Sequence, residues 1–148
     1  MLCLTPISSG SISDLEDTSY AEMSDDDKRR MVRESCDKQH NGAYFELFSV
    51  SDDGQIVGFM NLYARSARII SIGPEIKKRF QKQGYGYCAE TLALEHARKM
   101  GYSIAVANVR EDNAASIALH EKLGFAVDAH CLSEHGKPIR VYIKALSE

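Results

Sequence analysis

One stretch near the middle of the chain decides the fold, and it reads Lys77-Lys78-Arg79-Phe80-Gln81-Lys82-Gln83-Gly84-Tyr85-Gly86. It lies between a predicted strand at residues 68–76 and the most regular predicted helix, at residues 85–100. A loop that leads into a helix presents unpaired backbone N–H groups and the positive end of the helix dipole, and both attract phosphate. The two glycines leave the backbone open to such an anion, and the basic side chains add a positive local field. The stretch therefore predicts a phosphate-binding loop, and a glycine turn with a solvated basic rim is the alternative.

The segments before this loop are predicted to be helices and short strands. Ser24 is a good helix N-cap, and the three aspartates that follow it favour the first turn of a helix. An Asp-Gly turn at residues 51–54 joins two runs rich in aromatic and β-branched residues, which predicts a hairpin. Proline cannot donate a ladder hydrogen bond, so we expect the strand that contains Pro74 to bulge or to part from a neighbour there. The predicted helices span residues 14–20 and 25–39, and the predicted strands span residues 2–7, 44–50, 55–63 and 68–76.

The segments after the loop are predicted to be two helices and three strands. The first helix is predicted from side chains that recur at helical spacing, at Tyr85, Ala89, Leu92 and His96. Asn113 is predicted to cap the second helix, and Gly101 and Gly124 are predicted to end the two. The predicted strands span residues 103–109, 125–132 and 139–146, and the second helix spans residues 114–123. This order predicts a mixed sheet with helices on its faces.

Bulk properties narrow the class of protein. A chain of 148 residues with a net charge of −3 fits one globular domain, and its acidic balance argues against a nucleic-acid partner. No apolar run is long enough to cross a membrane, and no basic, apolar signal peptide begins the chain, so we expect a cytoplasmic protein. The four cysteines lie far apart without metal-ligand spacing, which predicts reduced thiols and no metal site.

The glycines of the loop also match a dinucleotide-binding pattern, Gly-x-Gly-x-x-Ala, at Gly84, Gly86 and Ala89. The context disfavours that interpretation. A polar, basic run precedes Gly84 where a strand should lead in directly, and the strand at residues 103–109 carries no acidic residue. The loop is not a Walker phosphate loop either, because no Gly-Lys-Ser or Gly-Lys-Thr follows.

Two motifs in register resemble those of the GNAT superfamily of N-acetyltransferases. The family's loop has the form Arg/Gln-x-x-Gly-x-Gly/Ala, and residues 81–86 match it in full. Its second motif has an asparagine, a serine three residues later and a closing Gly-Phe, which here are Asn113, Ser116, Gly124 and Phe125. The resemblance implies an α/β (α+β) fold with a mixed, mostly antiparallel sheet of six to seven strands and about four helices. A splayed strand pair would form the acyl-CoA cleft.

The resemblance also implies a role for each matched residue. The loop would bind the pyrophosphate of acetyl-CoA through backbone amides, and the pantetheine arm would lie along the end of the strand near Ile76. The implied cofactor-binding residues are Ile76, Gln81, Lys82, Gln83, Gly84, Tyr85, Gly86, Tyr87, Asn113 and Ser116. An acceptor amine would attack the thioester directly, so it must lose a proton and the leaving thiolate must be stabilised.

The sequence departs from the family at the positions of the acid and the base. Many members have a tyrosine seven residues after the asparagine, where this chain has His120, and histidine is chemically able to protonate the departing sulfur. Position 108 is an asparagine where N-terminal acetyltransferases often carry an acid, so Glu75 is the candidate base. A packing role for His120 and a surface role for Glu75 are the alternatives.

These motifs predict a single N-acetyltransferase domain over residues 1–148, in which residues 1–43 shape the acceptor site and residues 44–146 form the sheet and the CoA site. The predicted function is acetyl transfer from acetyl-CoA to a primary amine of a small molecule or protein. A non-catalytic acyl-CoA-binding or sensing domain on the same fold is the alternative. An exposed strand edge in such a sheet is compatible with a homodimer.

Overall fold

The computed structural model describes residues 1–8 and 12–146. The few remaining residues of the predicted 1–148 domain lie outside the described residues. Within the described residues, the strands are β1 (Leu2–Pro6), β2 (Phe45–Asp52), β3 (Gln55–Ala64), β4 (Ile69–Ile76), β5 (Ile104–Arg110), β6 (Ala126–Leu132) and β7 (Pro138–Ala145). These seven strands form one sheet in the order β1-β2-β3-β4-β5-β7-β6. All neighbouring strands are antiparallel except β4 and β5, which are parallel. The predicted mixed, mostly antiparallel sheet is confirmed. β1 and β6 are its edges, and the homodimer stays a prediction.

Three α-helices lie within the described residues: α1 (Asp25–Cys36), α2 (Tyr85–Lys99) and α3 (Ala114–Lys122). The prediction of a helix over residues 14–20 is wrong. That segment folds as two 3-10 turns, Ile12–Leu15 and Ser19–Glu22, because Asp17 between them has a φ of 62° and cannot continue a right-handed helix. A third 3-10 turn spans Lys78–Phe80. No helix in the described part of the chain is long and apolar enough to cross a membrane.

The helices cover both faces of the sheet. α1 packs on one face, where Val32 meets Leu47 and Phe59 in a small core. α2 and α3 lie on the other face over a larger core that includes Ile70 and Tyr142. Ser24 caps α1 as predicted, since its hydroxyl accepts a hydrogen bond from the Asp27 amide at 3.1 Å.

The side of α2 that faces the sheet differs from the predicted repeat. Its buried residues are Ala89, Glu90, Ala93, Leu94 and Ala97, whereas Leu92 is 41% exposed. A stripe of alanines lets the helix approach the strands closely, and it turns the larger Leu92 outward. A carboxylate, Glu90, therefore lies in the core.

β4 and β5 separate soon after they meet, and this separation creates the site. They pair only where Ile69–Ser71 lies beside Ile104–Val106. On its other side β4 stays paired with β3 without a bulge as far as Ile76. We expected the strand that contains Pro74 either to bulge or to part from a neighbour. The structure shows that β4 parts from β5 and does not bulge. The edge of β4 that faces β5 is open from residue 72 to residue 76.

Gly58 fixes the end of β4, and substituting it should destabilise the protein. An alanine Cβ at position 58 would lie 2.4 Å from the Glu75 carbonyl oxygen, so the backbone must shift. We expect Gly58→Ala to cost about 1–3 kcal/mol in urea-induced unfolding, as overpacking does elsewhere. Gly73→Ala is the matched comparison, because its Cβ would meet the side-chain nitrogen of Asn61 at 2.9 Å, and the end of a side chain shifts at less cost than the backbone does. Equal costs for the two variants would contradict this explanation.

Candidate functional site

A cleft of about 550 Å³ opens where β4 and β5 separate. The end of β4 and the loop after it form one wall, and the first turn of α2 forms the base. The opposite wall is α3. The residues that line the cleft are Pro74, Glu75, Ile76, Phe80, Gln81, Lys82, Gly84, Tyr85, Gly86, Tyr87, Asn113, Ala115, Ser116, Ala118, Leu119 and Lys122.

The backbone amides of the loop are free to bind a ligand. Cys88 is the first residue of α2 whose amide reaches back to a carbonyl, that of Gly84 at 3.2 Å. The amides of residues 82–87 donate no hydrogen bond to any part of the chain that the structure describes. Unpaired N–H groups at a helix N-terminus form an anion site because the helix dipole adds to their partial charge.

The shape of the loop depends on two residues in the left-handed region. Lys82 has a φ of 64° and Gly84 has a φ of 85°, and Gly84 forms the N-cap of α2. Gly86 has a different role. A Cβ there would lie 3.5 Å from a methyl of Leu119, which is an ordinary contact, so alanine fits this position sterically. The Gln81 side chain closes the loop by donating a hydrogen bond to the Ile76 carbonyl at 3.0 Å.

Two of the basic residues near the loop are already neutralised. Lys77 is 2% exposed, and its Nζ lies 3.1 Å from a carboxylate oxygen of Glu16. Arg79 pairs with the same carboxylate at 2.8 Å and with Asp17 at 3.1 Å. These acids therefore hold the segment that contains Glu16 and Asp17 against the loop. Lys78 and Lys82 are the exposed cations that the loop retains.

The wall formed by α3 presents polar groups near the amides. The Asn113 side-chain oxygen caps the helix by accepting a hydrogen bond from the Ser116 amide at 3.0 Å. Lys122 lies over the ring of Tyr87, 4.6 Å from its centroid. The Tyr85 hydroxyl points away to Asp52, at 2.8 Å, and this hydrogen bond raises the pKa of Tyr85.

Glu75 lies at the β4 end of the cleft and is held by the N-terminal segment. Its two carboxylate oxygens accept hydrogen bonds of 2.5 Å from the amide and the hydroxyl of Ser19. The neighbouring Tyr20 hydroxyl accepts a hydrogen bond from the Asn61 side chain at 3.2 Å, and burial raises the pKa of Tyr20. The segment around residues 19–20 thus lies beside the predicted base.

His120 does not line the cleft, and the structure does not place it to touch a ligand there. It is 1% exposed, between α2 and β7, where its ring stacks on Tyr142 and lies nearly perpendicular to the ring of Phe125. Its Nε2 lies 2.9 Å from an oxygen of Glu90, which is fully buried. The two atoms are close but poorly aligned for a hydrogen bond, so the contact is better described as a buried ion pair.

The surroundings of Glu90 and His120 raise the pKa values of both side chains. Burial raises the pKa of Glu90. Burial alone would lower the pKa of His120, but the Glu90 carboxylate and the Ser116 carbonyl outweigh it and the pKa is raised. Both shifts mean that the pair releases its proton at a higher pH than the isolated side chains would.

The structure brings together nearly all of the predicted cofactor-binding residues. All except Gln83 line the cleft, and Gln83 contributes one of the free amides. Sequence reasoning missed several lining residues, which are Pro74, Phe80, Ala115, Ala118, Leu119 and Lys122. The helical repeat from Ser116 through Leu119 to Lys122 would have identified the residues on α3. No group of three or more metal-ligating side chains occurs in residues 1–8 and 12–146.

Comparison with known proteins gives one family. The family model described as "Acetyltransferase (GNAT) family" matches residues 11–125. No curated protein sequence matches this chain.

Similar solved structures share the whole fold at low sequence identity. A chimera of spermidine N-acetyltransferase SpeG from Vibrio cholerae and hSSAT has a TM-score of 0.84 at 16% identity, and the match covers 98% of this chain and 95% of that one. The structure of yncA from Salmonella typhimurium with its cofactor acetyl-CoA has a TM-score of 0.80 at 16% identity, with coverages of 99% and 95%. An acetyl transferase from the same organism, which modifies the N-terminal serine of ribosomal protein L7/L12, has a TM-score of 0.83 at 16% identity, again with coverages of 99% and 95%. At these identities the likeness establishes the fold alone.

Proposed function

The chain belongs to the acetyltransferase (GNAT) family, and on that premise we propose that it transfers an acetyl group from acetyl-CoA to a primary amine. The observation that carries the proposal is the row of free amides at residues 82–87, which lies at one end of a cleft beside an unpaired strand edge. A ligand that is anionic at one end and an extended amide chain at the other suits this combination. Acetyl-CoA has both parts.

The described residues fit the donor in two places. The free amides and the helix dipole of α2 would hold the pyrophosphate. The edge of β4 between residues 72 and 76 offers backbone groups that β5 does not use, and an extended pantetheine arm would pair with it as an added strand does. Asn113 and Ser116 would face the donor from α3.

The acceptor amine would approach from the side of Glu75. We assign Glu75 as the group that removes the amine's proton, directly or through water, because Glu75 is the acidic residue that lines the cleft. Ser19 occupies both of its oxygens, so an acceptor must displace or share those hydrogen bonds. The residues around Ser19 and Tyr20 would then contact the acceptor. A polyamine and a protein N-terminus are both candidates, in view of the neighbours that act on such amines.

A non-catalytic acyl-CoA-binding domain is the second candidate, and two observations favour it. The His120 side chain predicted as the acid is buried away from the cleft. The Glu75 carboxylate predicted as the base is hydrogen-bonded by the protein itself. Both candidates share the donor site and differ only in whether an amine is acetylated.

Acetyl transfer to a panel of amines separates the two candidates. The panel would include spermidine, an aminoglycoside and a peptide with an N-terminal serine, and mass spectrometry would detect the acetylated products. We expect one class of amine to be acetylated, and we expect Glu75→Gln to lower kcat by about 100-fold or more at unchanged acetyl-CoA affinity, as loss of a general base does.

Glu134→Gln is the matched control, because Glu134 is an exposed carboxylate in the turn between β6 and β7. A folded wild type that binds acetyl-CoA but acetylates none of the amines would favour the binding domain. Equal activity of Glu75→Gln and the wild type would remove Glu75 from the mechanism.

A further inference from the structure

We propose that Ser116 protonates the leaving sulfur and that the buried His120–Glu90 pair supplies Ser116 with the proton, an inference that rests on the proposed acetyl transfer. Ser116 lines the cleft, whereas His120 and Glu90 lie directly behind it. Ser116 is thus the catalytic residue of the three, and the other two are positioning residues that act through it.

The hydrogen-bond geometry of His120 fixes the direction of the relay. The Nδ1 atom of His120 lies 2.8 Å from the Ser116 carbonyl oxygen and 3.3 Å from the Ser116 hydroxyl oxygen. A carbonyl oxygen only accepts hydrogen bonds, so Nδ1 carries a hydrogen. The Ser116 hydroxyl oxygen can share that hydrogen as an acceptor. Its own hydrogen is then free to point into the cleft.

Packing alone does not explain the pair behind Ser116. Apart from the His120 contact, both carboxylate oxygens of Glu90 are buried without a hydrogen-bond partner in the described chain. A buried ion pair of this kind stabilises a protein no better than apolar side chains of the same size. Its presence beside a cleft residue is therefore better explained by proton transfer than by packing.

Among the described groups that face His120, Glu90 supplies the opposite charge. From β7, Tyr142 stacks on the imidazole with ring centroids 6.1 Å apart, and Phe125 contributes an uncharged ring nearly perpendicular to it. The Tyr142 hydroxyl is directed away, since it donates to Glu121 at 2.9 Å and accepts from Arg140 at 3.2 Å. The raised pKa of His120 agrees with this arrangement.

The proton transfers balance. When the amine has added to the acetyl carbon, the carbon–sulfur bond breaks and sulfur keeps the electron pair. The sulfur takes the hydroxyl proton of Ser116, and the Ser116 oxygen takes the Nδ1 proton of His120. The proton that the attacking amine loses passes to Glu75, directly or through water, and then to solvent, and solvent returns one to the His120–Glu90 pair. No oxidant, reductant or metal is needed.

The thiol pKa of bound CoA tests the relay without any turnover. Thiolate absorbance would be titrated against pH for CoA bound to the wild type, Ser116→Ala, Ser116→Thr and Glu90→Gln. A cysteine thiol has a pKa of about 8.5, and a hydroxyl backed by a cation should lower the pKa of the CoA thiol by about one pH unit or more from its unbound value. We expect Ser116→Ala to abolish this shift, Ser116→Thr to retain it and Glu90→Gln to reduce it. Thr91→Val removes a hydroxyl on α2 outside the cleft and should leave the shift unchanged.

Each outcome separates the relay from the proposed acetyl transfer. An unshifted thiol pKa in the wild type, or a shift that persists in Ser116→Ala, would overturn the relay while acetyl transfer could still be shown by its products. A shift lost in Ser116→Ala, in a protein that acetylates no amine, would support the relay and reject the transfer. A wild type that binds no CoA would reject both. In the unliganded protein, NMR titration should show His120 protonated at pH 7, and an imidazole already neutral at that pH would also overturn the relay.

Discussion

Gly84→Asp should weaken acetyl-CoA binding by about 100-fold or more, which is the largest effect on a ligand that the structure predicts. Two like charges about 4 Å apart near a protein surface repel by about 4 kcal/mol, and every 1.4 kcal/mol is about a tenfold change in affinity. The new carboxylate would lie among the amides of residues 82–87, where the pyrophosphate is expected. Calorimetric titration with acetyl-CoA measures the change.

Gly136→Asp is the matched control for the backbone. Gly84 and Gly136 have φ angles of 85° and 76°, and a Cβ at either position meets no atom within 4 Å. Both variants therefore carry the same left-handed strain, and only one places its charge in the cleft. Gly84→Ala separates strain from charge further and should lose much less affinity than Gly84→Asp. Similar acetyl-CoA affinities for Gly84→Asp and Gly136→Asp would contradict the assignment of the loop.

His120→Ala should have the largest effect on stability, lowering the free energy of unfolding by about 3 kcal/mol or more. The substitution leaves the fully buried Glu90 carboxylate without a counter-charge and opens a cavity beside Tyr142. Urea-induced unfolding at pH 7 measures the loss. His135→Ala, at an exposed turn residue, should change stability by less than about 0.5 kcal/mol.

Replacing both Glu90 and His120 by apolar side chains is a second test of the contact between them. Glu90→Leu/His120→Phe should be close to the wild type in stability or above it. The pKa values of Glu90 and His120 are raised from 4.5 and 6.5, so the folded wild type holds protons that the unfolded chain has released. The stability of the wild type relative to the double variant should therefore be greatest below about pH 4.5 and fall as the pH rises through both shifted values. A relative stability that rises with pH would contradict this description of the pair.

Helix caps and turns were predicted correctly from a few neighbouring residues in the sequence. Asp53 and Gly54, with φ angles of 49° and 85°, form the predicted turn between β2 and β3. Asn113 caps α3 as expected, and Gly124 follows its end with a φ of 91°. Caps and turns depend on a few neighbouring residues, so they can be predicted without knowledge of the rest of the fold.

The position of His120 could not be predicted in the same way. The spacing of seven residues from Asn113 implies the same face of α3, but Asn113 is the N-cap, with a non-helical ψ of 79°, so the count begins outside the helix. The residues that line the cleft centre on Leu119, and each further residue turns the helix by about 100°. His120 is thereby rotated from the cleft towards α2.

The ion pairs of the N-terminal segment could not be predicted from the sequence either. Glu16 and Asp17 meet Lys77 and Arg79 across about sixty residues of chain, and no local pattern connects them. Glu90 did carry a signal, since a carboxylate on the alanine-rich side of a helix needs a buried partner. The identity of that partner depends on how α2 packs against α3.

A crystal structure of the protein with acetyl-CoA tests the central claim most directly. We predict that the pyrophosphate lies within hydrogen-bond distance of the amides of residues 82–87 and that the pantetheine arm runs along residues 72–76 of β4. The sulfur should lie within reach of the Ser116 hydroxyl and the acetyl group should point towards Glu75. Acetyl-CoA bound elsewhere on the protein, or bound in the cleft with its pyrophosphate away from those amides, would contradict the account.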